Sequence, residues 1–155
     1  MSFLHTGTFL CAYFFCDHSE GNPKKKRNQL NGNSVRELTE VLKRVEFRIW
    51  ELEFERTPEA ENHLYETMQQ YFITPEAMSC IIVVSAMDKC DTYLTVSCIY
   101  LEHGNTEAAI DLLVYSLEWY PEDERILQVL VSLYRKTGKQ ELAESYEERL
   151  KCVQQ

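Results

Sequence analysis

Residues 96–109 read VSCIYLEHGNTEAA and residues 130–143 read LVSLYRKTGKQELA, so the chain matches itself at a spacing of 34 residues. The identical pairs at that spacing are Tyr100 and Tyr134, Gly104 and Gly138, Glu107 and Glu141, and Ala109 and Ala143. Apolar positions follow the same shift, as Val96 and Leu130 do. A self-match at a fixed period of this length is typical of stacked helical repeats.

Each copy of the match predicts a helix, a turn at a glycine and a second helix. Gly104 and Gly138 suit the left-handed backbone conformation that ends a helix, where a Cβ atom is penalised. Ala109 and Ala143 lie where the two helices of a unit are expected to cross, and larger side chains there would hold the helices apart. The residue types therefore agree with the structure that the period predicts.

Residues 90–123 resemble one repeat of the tetratricopeptide family, and residues 124–155 resemble a second that has Glu147 and Gln155 where an aromatic residue and Pro are usual. The family's positions for Trp, Leu, Gly, Tyr, Ala, Phe and Pro are held in the first repeat by Tyr93, Val96, Ser97, Tyr100, Ala109, Leu113 and Pro121. The resemblance implies an all-α fold of antiparallel helix-turn-helix repeats that form a short right-handed superhelix. It also implies a groove, lined by the first helix of each repeat, that binds a polypeptide.

A long amphipathic helix is predicted over residues 34–55, ahead of the repeats. Ser34 and Glu37 have the spacing of a capping box, which marks a helix start. Apolar residues recur at steps of three and four, and further apolar residues widen that surface: Val35, Leu38, Leu42, Val45, Ile49 and Leu52, then Val41, Phe47, Trp50 and Phe54. We expect the helix to bury more than one face against the helices that follow; self-association as a coiled coil is the alternative.

The sequence Thr-Pro-Glu-Ala occurs at residues 57–60 and again at residues 74–77. In each copy Thr suits the N-cap, Pro the first helical position and Glu the positively polarised first turn. Helices are therefore predicted over residues 58–72 and 75–88. The second is expected to be nearly all buried through Ile81, Ile82, Val83, Val84 and Met87.

These helices form a degenerate repeat over residues 56–89, in which Gln70 and Pro75 stand where the family has Gly and Ala. The predicted organisation is an irregular segment and basic linker over residues 1–33, followed by a tetratricopeptide-like helical domain over residues 34–155. The last helix of that domain is expected to be a polar cap, which a repeat array needs at its end.

The linker contains a basic cluster that resembles a nuclear-import signal: Lys24, Lys25, Lys26 and Arg27. The alternative is a solvated charge cluster. Cys11, Cys16 and His18 lack the second ligand pair of a zinc site, so no metal or cofactor is predicted. The apolar residues 3–16 are too short for a membrane helix, so no membrane association is expected.

Charge is unevenly distributed along the 155 residues. Residues 1–56 contain nine Lys or Arg and eight Asp or Glu, whereas residues 57–155 contain seven and seventeen. Because residues 57–155 are strongly acidic, phosphate backbones would repel them. No nucleic-acid partner is therefore expected. The six cysteines form no CxxC pair, which indicates reduced thiols in the cytoplasm, with nuclear entry if the basic cluster is a signal.

The resemblance implies a groove that is apolar and acidic on one first helix and basic on the next. Its predicted residues are Asp91, Leu94, Cys98, Leu101 and Glu102, then Arg125, Gln128, Ser132, Arg135 and Lys136. Leu94 and Leu101 would take apolar anchors, and Arg125 and Arg135 would meet an acidic group of the ligand. The alternative is that these are ordinary helix-surface charges.

No catalytic motif is present, because the four histidines are dispersed and no phosphate loop, nucleophile elbow or HExxH occurs. The sequence therefore predicts a non-enzymatic adaptor or scaffold whose partner is a protein or peptide. The alternative is a cytoplasmic tetratricopeptide chaperone of the bacterial secretion type, which holds hydrophobic effectors.

Overall fold

The computed structural model of the protein describes residues 32–155, which form seven α-helices and contain no β-strand. In chain order these are α1 (Gly32–Phe54), α2 (Pro58–Gln70), α3 (Pro75–Ser85), α4 (Lys89–Glu102), α5 (Thr106–Ser116), α6 (Glu124–Lys136) and α7 (Gln140–Gln154). The predicted all-α class is confirmed. The basic cluster Lys24, Lys25, Lys26 and Arg27 and the group Cys11, Cys16 and His18 lie outside the described residues.

The described chain divides into two compact units. The first unit contains the described residues through Ile73 together with Cys80–Met87, and the second contains Thr74–Ser79 and Asp88–Gln155. Helix α3 contributes residues to both units. The domain predicted over residues 34–155 therefore comprises two units.

In the first unit, α1 packs against α2, and the chain direction is reversed between them. The Tyr71 hydroxyl accepts a hydrogen bond of 2.8 Å from Arg44, and a ring nitrogen of His63 lies 3.3 Å from Glu51. The buried apolar side chains of the two helices are Leu38, Val45, Ile49, Leu52, Ala60, Leu64 and Met68. Thr57 caps α2 as predicted, since its hydroxyl accepts the Ala60 N–H at 3.1 Å.

Helix α1 departs from its prediction in two respects. It begins at Gly32, two residues before the predicted N-cap Ser34. It buries one apolar face only: Phe47, Trp50 and Phe54 are exposed, so the expectation that they widen the buried surface was wrong. The reason is that α1 packs on α2 along one face, and these three side chains point away from the buried stripe.

Helix α3 is shorter and less buried than predicted. Thr74 caps it as expected, because its hydroxyl accepts the Ala77 N–H at 3.2 Å. The helix ends at Ser85, and Asp88 then caps α4 by accepting the Asp91 N–H at 3.2 Å. Val84 and Met87 are exposed, which corrects the expectation that nearly all of this helix is buried.

In the second unit, α4 packs against α5, α5 against α6, and α6 against α7. Buried side chains from all four helices form its core, among them Tyr93, Val96, Leu113, Ile126, Leu130 and Tyr134. Ala109 and Ala143 are fully buried, as expected for close helix crossings. Helix α7 buries only Ala143, and Leu142 is exposed.

The turns after α4 and α6 have the same geometry. Gly104 and Gly138 have φ angles of +77° and +76°. After α4, the N–H groups of Gly104 and Asn105 donate to the carbonyls of Leu101 and Tyr100 at 3.0 and 2.9 Å. The corresponding bonds after α6, from Gly138 to Arg135 and from Lys139 to Tyr134, measure 3.2 and 2.9 Å. Both turns are therefore Schellman motifs, and they are 34 residues apart.

A third turn of this kind follows α2, but it contains no glycine. Phe72 has φ +52°, its N–H donates to Gln69, and the Ile73 N–H donates to Met68. The turn residue is therefore Phe72, not Gln70, which still lies inside α2. The spacing to Gly104 is 32 residues, so the first unit lacks the 34-residue period.

Candidate protein-interaction surfaces

The predicted groove residues lie on α4 and α6, and we call them together the groove face. Eight of the ten are exposed, namely Asp91, Cys98, Glu102, Arg125, Gln128, Ser132, Arg135 and Lys136. Leu94 and Leu101 are half-buried because they pack against the core of the second unit. The two predicted apolar anchors are thus only partly available to a ligand.

The N-terminal ends of α4 and α6 adjoin. Arg125, in the first turn of α6, donates to Asp91, in the first turn of α4, at 2.6 Å. The two residues are at equivalent positions of the 34-residue match. The bridge therefore joins corresponding ends of the two predicted first helices.

Two residues that the sequence reasoning missed, Cys90 and Asp123, complete this contact. The Cys90 thiol donates to Asp123 at 3.0 Å, and Arg125 lies 3.2 Å from the Cys90 sulfur. Asp123 also caps α6 by accepting the Ile126 N–H at 3.2 Å. Burial, followed by the carboxylate of Asp123, raises the pKa of the Cys90 thiol to about 12, so this cysteine is a hydrogen-bond donor and not a reactive thiolate.

Both arginines that were predicted to meet an acidic group of a ligand have acidic partners within the chain. Arg125 pairs with Asp91, and Arg135 donates to Glu147 of α7 at 2.8 Å. The uncharged residues Gln128 and Ser132 lie between them on α6. The centre of the groove face is therefore polar but uncharged on α6.

We expect replacement of Asp123 by Asn to flatten the acid limb of the stability curve. Partial burial raises the pKa of Asp123, but hydrogen bonds from Cys90 and the Ile126 N–H, with the Arg125 charge, lower it below the usual Asp value. The stabilisation is therefore complete above the unfolded-state pKa of about 4 and is lost as the pH falls through the lower folded-state pKa.

Asparagine still caps the helix but cannot titrate. Denaturant titrations of wild type and Asp123→Asn between pH 7 and pH 3 should give free energies of unfolding that converge in acid. Because Asp123 is partly exposed, the difference at pH 7 should stay below about 1 kcal/mol. Glu148→Gln, at an exposed position of α7, controls for the change in net charge. Parallel curves for wild type and Asp123→Asn would contradict the assignment.

The first unit carries a second surface, which we call the aromatic face. It consists of Phe47, Trp50, Phe54 and Met87, and their exposed fractions are 59, 53, 92 and 90%. The Trp50 indole donates to the Ser85 carbonyl, and the Met87 N–H donates to Glu53, both at 3.1 Å. These bonds hold the chain around Met87 alongside the C-terminal half of α1.

The sequence contains a signal for this surface in the spacing of residues along α1. Arg36, Glu40 and Lys43 continue the spacing of Phe47, Trp50 and Phe54 at alternating steps of four and three. Helix α1 therefore has two stripes with coiled-coil spacing, and the structure buries the other one. The exposed stripe is polar in its N-terminal half and aromatic in its C-terminal half.

A cavity of about 310 Å³ adjoins Phe47 at the junction of α1 and α2. It is lined by Lys43, Arg44, Phe47, Arg48, Thr67, Gln70 and Tyr71. The guanidinium of Arg48 lies 5.5 Å from the centre of the Phe47 ring. Cations beside aromatic rings make this a suitable socket for another aromatic side chain.

Comparison of the chain with protein-family models, with curated proteins and with solved structures gives no match. Within residues 32–155, no three or more His, Cys, Asp or Glu side chains are grouped so that they could hold a metal ion. No helix in that described part is long and apolar enough to span a membrane. The functional proposal therefore rests on the geometry of the groove face and the aromatic face.

Proposed function

We propose that this protein is a tetratricopeptide-like interaction module, an adaptor or scaffold without catalysis, that binds an extended segment of a partner polypeptide across α4 and α6. The observation that carries the proposal is the bridge between Asp91 and Arg125, which joins equivalent positions of the two predicted repeats. The matching Schellman turns at Gly104 and Gly138 support the same stacking of helix pairs.

The chemistry of the groove face favours a mainly uncharged ligand segment. Cys98 and Ser132, exposed at equivalent positions, are small and leave room for a polypeptide backbone. Gln128 and Ser132 can donate and accept hydrogen bonds with that backbone. Leu94 and Leu101 offer partly exposed apolar contacts beside them. Arg125 and Arg135 already pair with acidic residues of the chain, so an acidic group of the ligand would compete with Asp91 and Glu147 for them.

The test begins with selection of binding peptides from a random library displayed on phage, with the full chain as bait. A selected peptide is then titrated, by fluorescence anisotropy, against Ser132→Arg and against the matched variant Ser145→Arg. Both serines are exposed on helices, but Ser145 lies on α7, outside the groove face. The bulky charged side chain at residue 132 should weaken binding at least tenfold, about 1.4 kcal/mol, whereas the one at residue 145 should not.

Circular dichroism and thermal unfolding of both variants check that each remains folded. Equal affinity of the two variants for the selected peptides would contradict binding at the groove face. Failure to enrich any peptide over a bait-free selection would contradict a peptide-binding module of this kind.

A further inference from the structure

The aromatic face of the first unit is larger than the proposed function requires. Phe54 and Met87 are almost fully exposed, and more than half of Phe47 and Trp50 is exposed. With about 200 Å² for each large side chain, these fractions amount to roughly 600 Å². A patch of that size is at the upper end of what a monomer exposes, and such patches are often functional.

The face is complementary to itself. Phe47 and Phe54 lie three and four residues from Trp50, on opposite sides of it along α1. A two-fold axis near Trp50 would bring Phe54 of one copy to Phe47 of the other, and the reverse, as a two-fold interface requires. Phe54 would then meet the cavity that adjoins Phe47 and is lined by basic residues. The most exposed aromatic side chain of α1 would thus face a socket in the second copy.

The charges at the two ends of the aromatic face agree with an antiparallel pairing. Lys43 lies on α1 four residues before Phe47 and is exposed. Glu55, in the loop directly after α1, and Glu59, in the first turn of α2, are also exposed. With Phe47 opposite Phe54, Lys43 of one copy lies beside the end of α1 in the other, where the loop and the start of α2 hold these two glutamates. A parallel pairing would instead place the like-charged ends of the helices together.

We propose that the aromatic face binds a second copy of this chain, through an antiparallel pair of α1 helices with two-fold symmetry. Two such faces bury about 1,200 Å² in total, at the lower limit of specific interfaces, so a dissociation constant in the micromolar range is expected. This surface lies in the first unit and does not depend on the groove face.

The first experiment is analytical ultracentrifugation of the full chain from about 1 to 200 µM, a range that spans micromolar affinities. The wild type should show a concentration-dependent dimer. Trp50→Glu should be monomeric throughout, because the two carboxylates would face each other at the two-fold axis, in the apolar centre of the pair. Trp119→Glu, the same kind of change at an exposed aromatic residue of the second unit, should dimerise like the wild type.

The second experiment tests the orientation of the pair by charge reversal. Lys43→Glu should weaken dimerisation at least threefold, and combining it with Glu55→Lys and Glu59→Lys should restore it. A wild type that is monomeric at every concentration overturns the proposal. The occupant of the aromatic face would then be residues 1–31 or an unrelated partner, and not a second copy. A dimer that survives Trp50→Glu overturns it as well, and lack of rescue overturns the antiparallel arrangement.

Discussion

Replacement of Ala109 or Ala143 by leucine is expected to lower the free energy of unfolding of the protein by roughly 1–3 kcal/mol, the usual result of overpacking a close contact. Both alanines are fully buried, each in the second helix of a predicted repeat. Three additional heavy atoms must push the paired helices apart, because a packed interior has no space for them. Urea denaturation followed by circular dichroism measures the change.

Ser145→Leu is the control, because the same side chain is introduced on α7 at an exposed position two residues after Ala143. It should change stability by less than about 0.5 kcal/mol. If leucine at residue 109 or 143 had as little effect as leucine at residue 145, the close crossing of the helices in each predicted repeat would be contradicted.

Replacement of Gly104 or Gly138 by alanine is expected to cost about 1–2 kcal/mol each, and the two effects should add, because the turns are separate. Both glycines have positive φ angles, near +77°. A Cβ atom placed on either residue would meet no neighbouring heavy atom within 4 Å, so the loss reflects backbone conformation alone. The measurement is again the free energy of unfolding in denaturant.

Phe72→Gly is the reverse kind of substitution, because it introduces glycine at the left-handed residue of the turn after α2. Phe72 has φ +52° and is almost fully exposed, so glycine relieves backbone strain and removes no buried contact. The greater freedom of glycine in the unfolded chain offsets part of that gain, which leaves a stabilisation below about 1 kcal/mol. Stabilisation by alanine at residue 104 or 138, or a large loss from Phe72→Gly, would contradict the turn geometry.

Features fixed by local chemistry could be predicted from the sequence. Thr57 and Thr74 cap helices because side-chain oxygen, Pro and Glu at that spacing favour a helix start wherever the rest of the chain lies. Gly104 and Gly138 were predicted to be left-handed because few other residues adopt that conformation readily. The all-α class follows from such local signals together with the helical periodicity.

Features that depend on contacts distant in sequence could not be predicted. Periodicity showed that α1 is amphipathic, but two stripes fit the same spacing, and only the packing of α2 decides which one is buried. The helix predicted over residues 58–72 ends at Gln70, and the left-handed residue of the following turn is Phe72. The 34-residue period had aligned Gln70 with the family's glycine, because it was extended into a unit that does not keep that period. In the groove face, the sequence did not show that Arg125 has a partner within the chain, because Asp91 lies 34 residues away and only folding brings it to 2.6 Å.

Two native cysteines allow the most direct test of the proposed groove. Cys98 lies on the groove face in α4, Cys152 lies on α7, and both are exposed free thiols. The measurement is the rate of alkylation of each cysteine in the full wild-type chain, by mass spectrometry, with and without a saturating selected peptide. Binding across α4 and α6 predicts that the peptide slows alkylation of Cys98 at least tenfold and leaves Cys152 unchanged. An unchanged rate at Cys98 while the peptide is bound would contradict the proposed binding face.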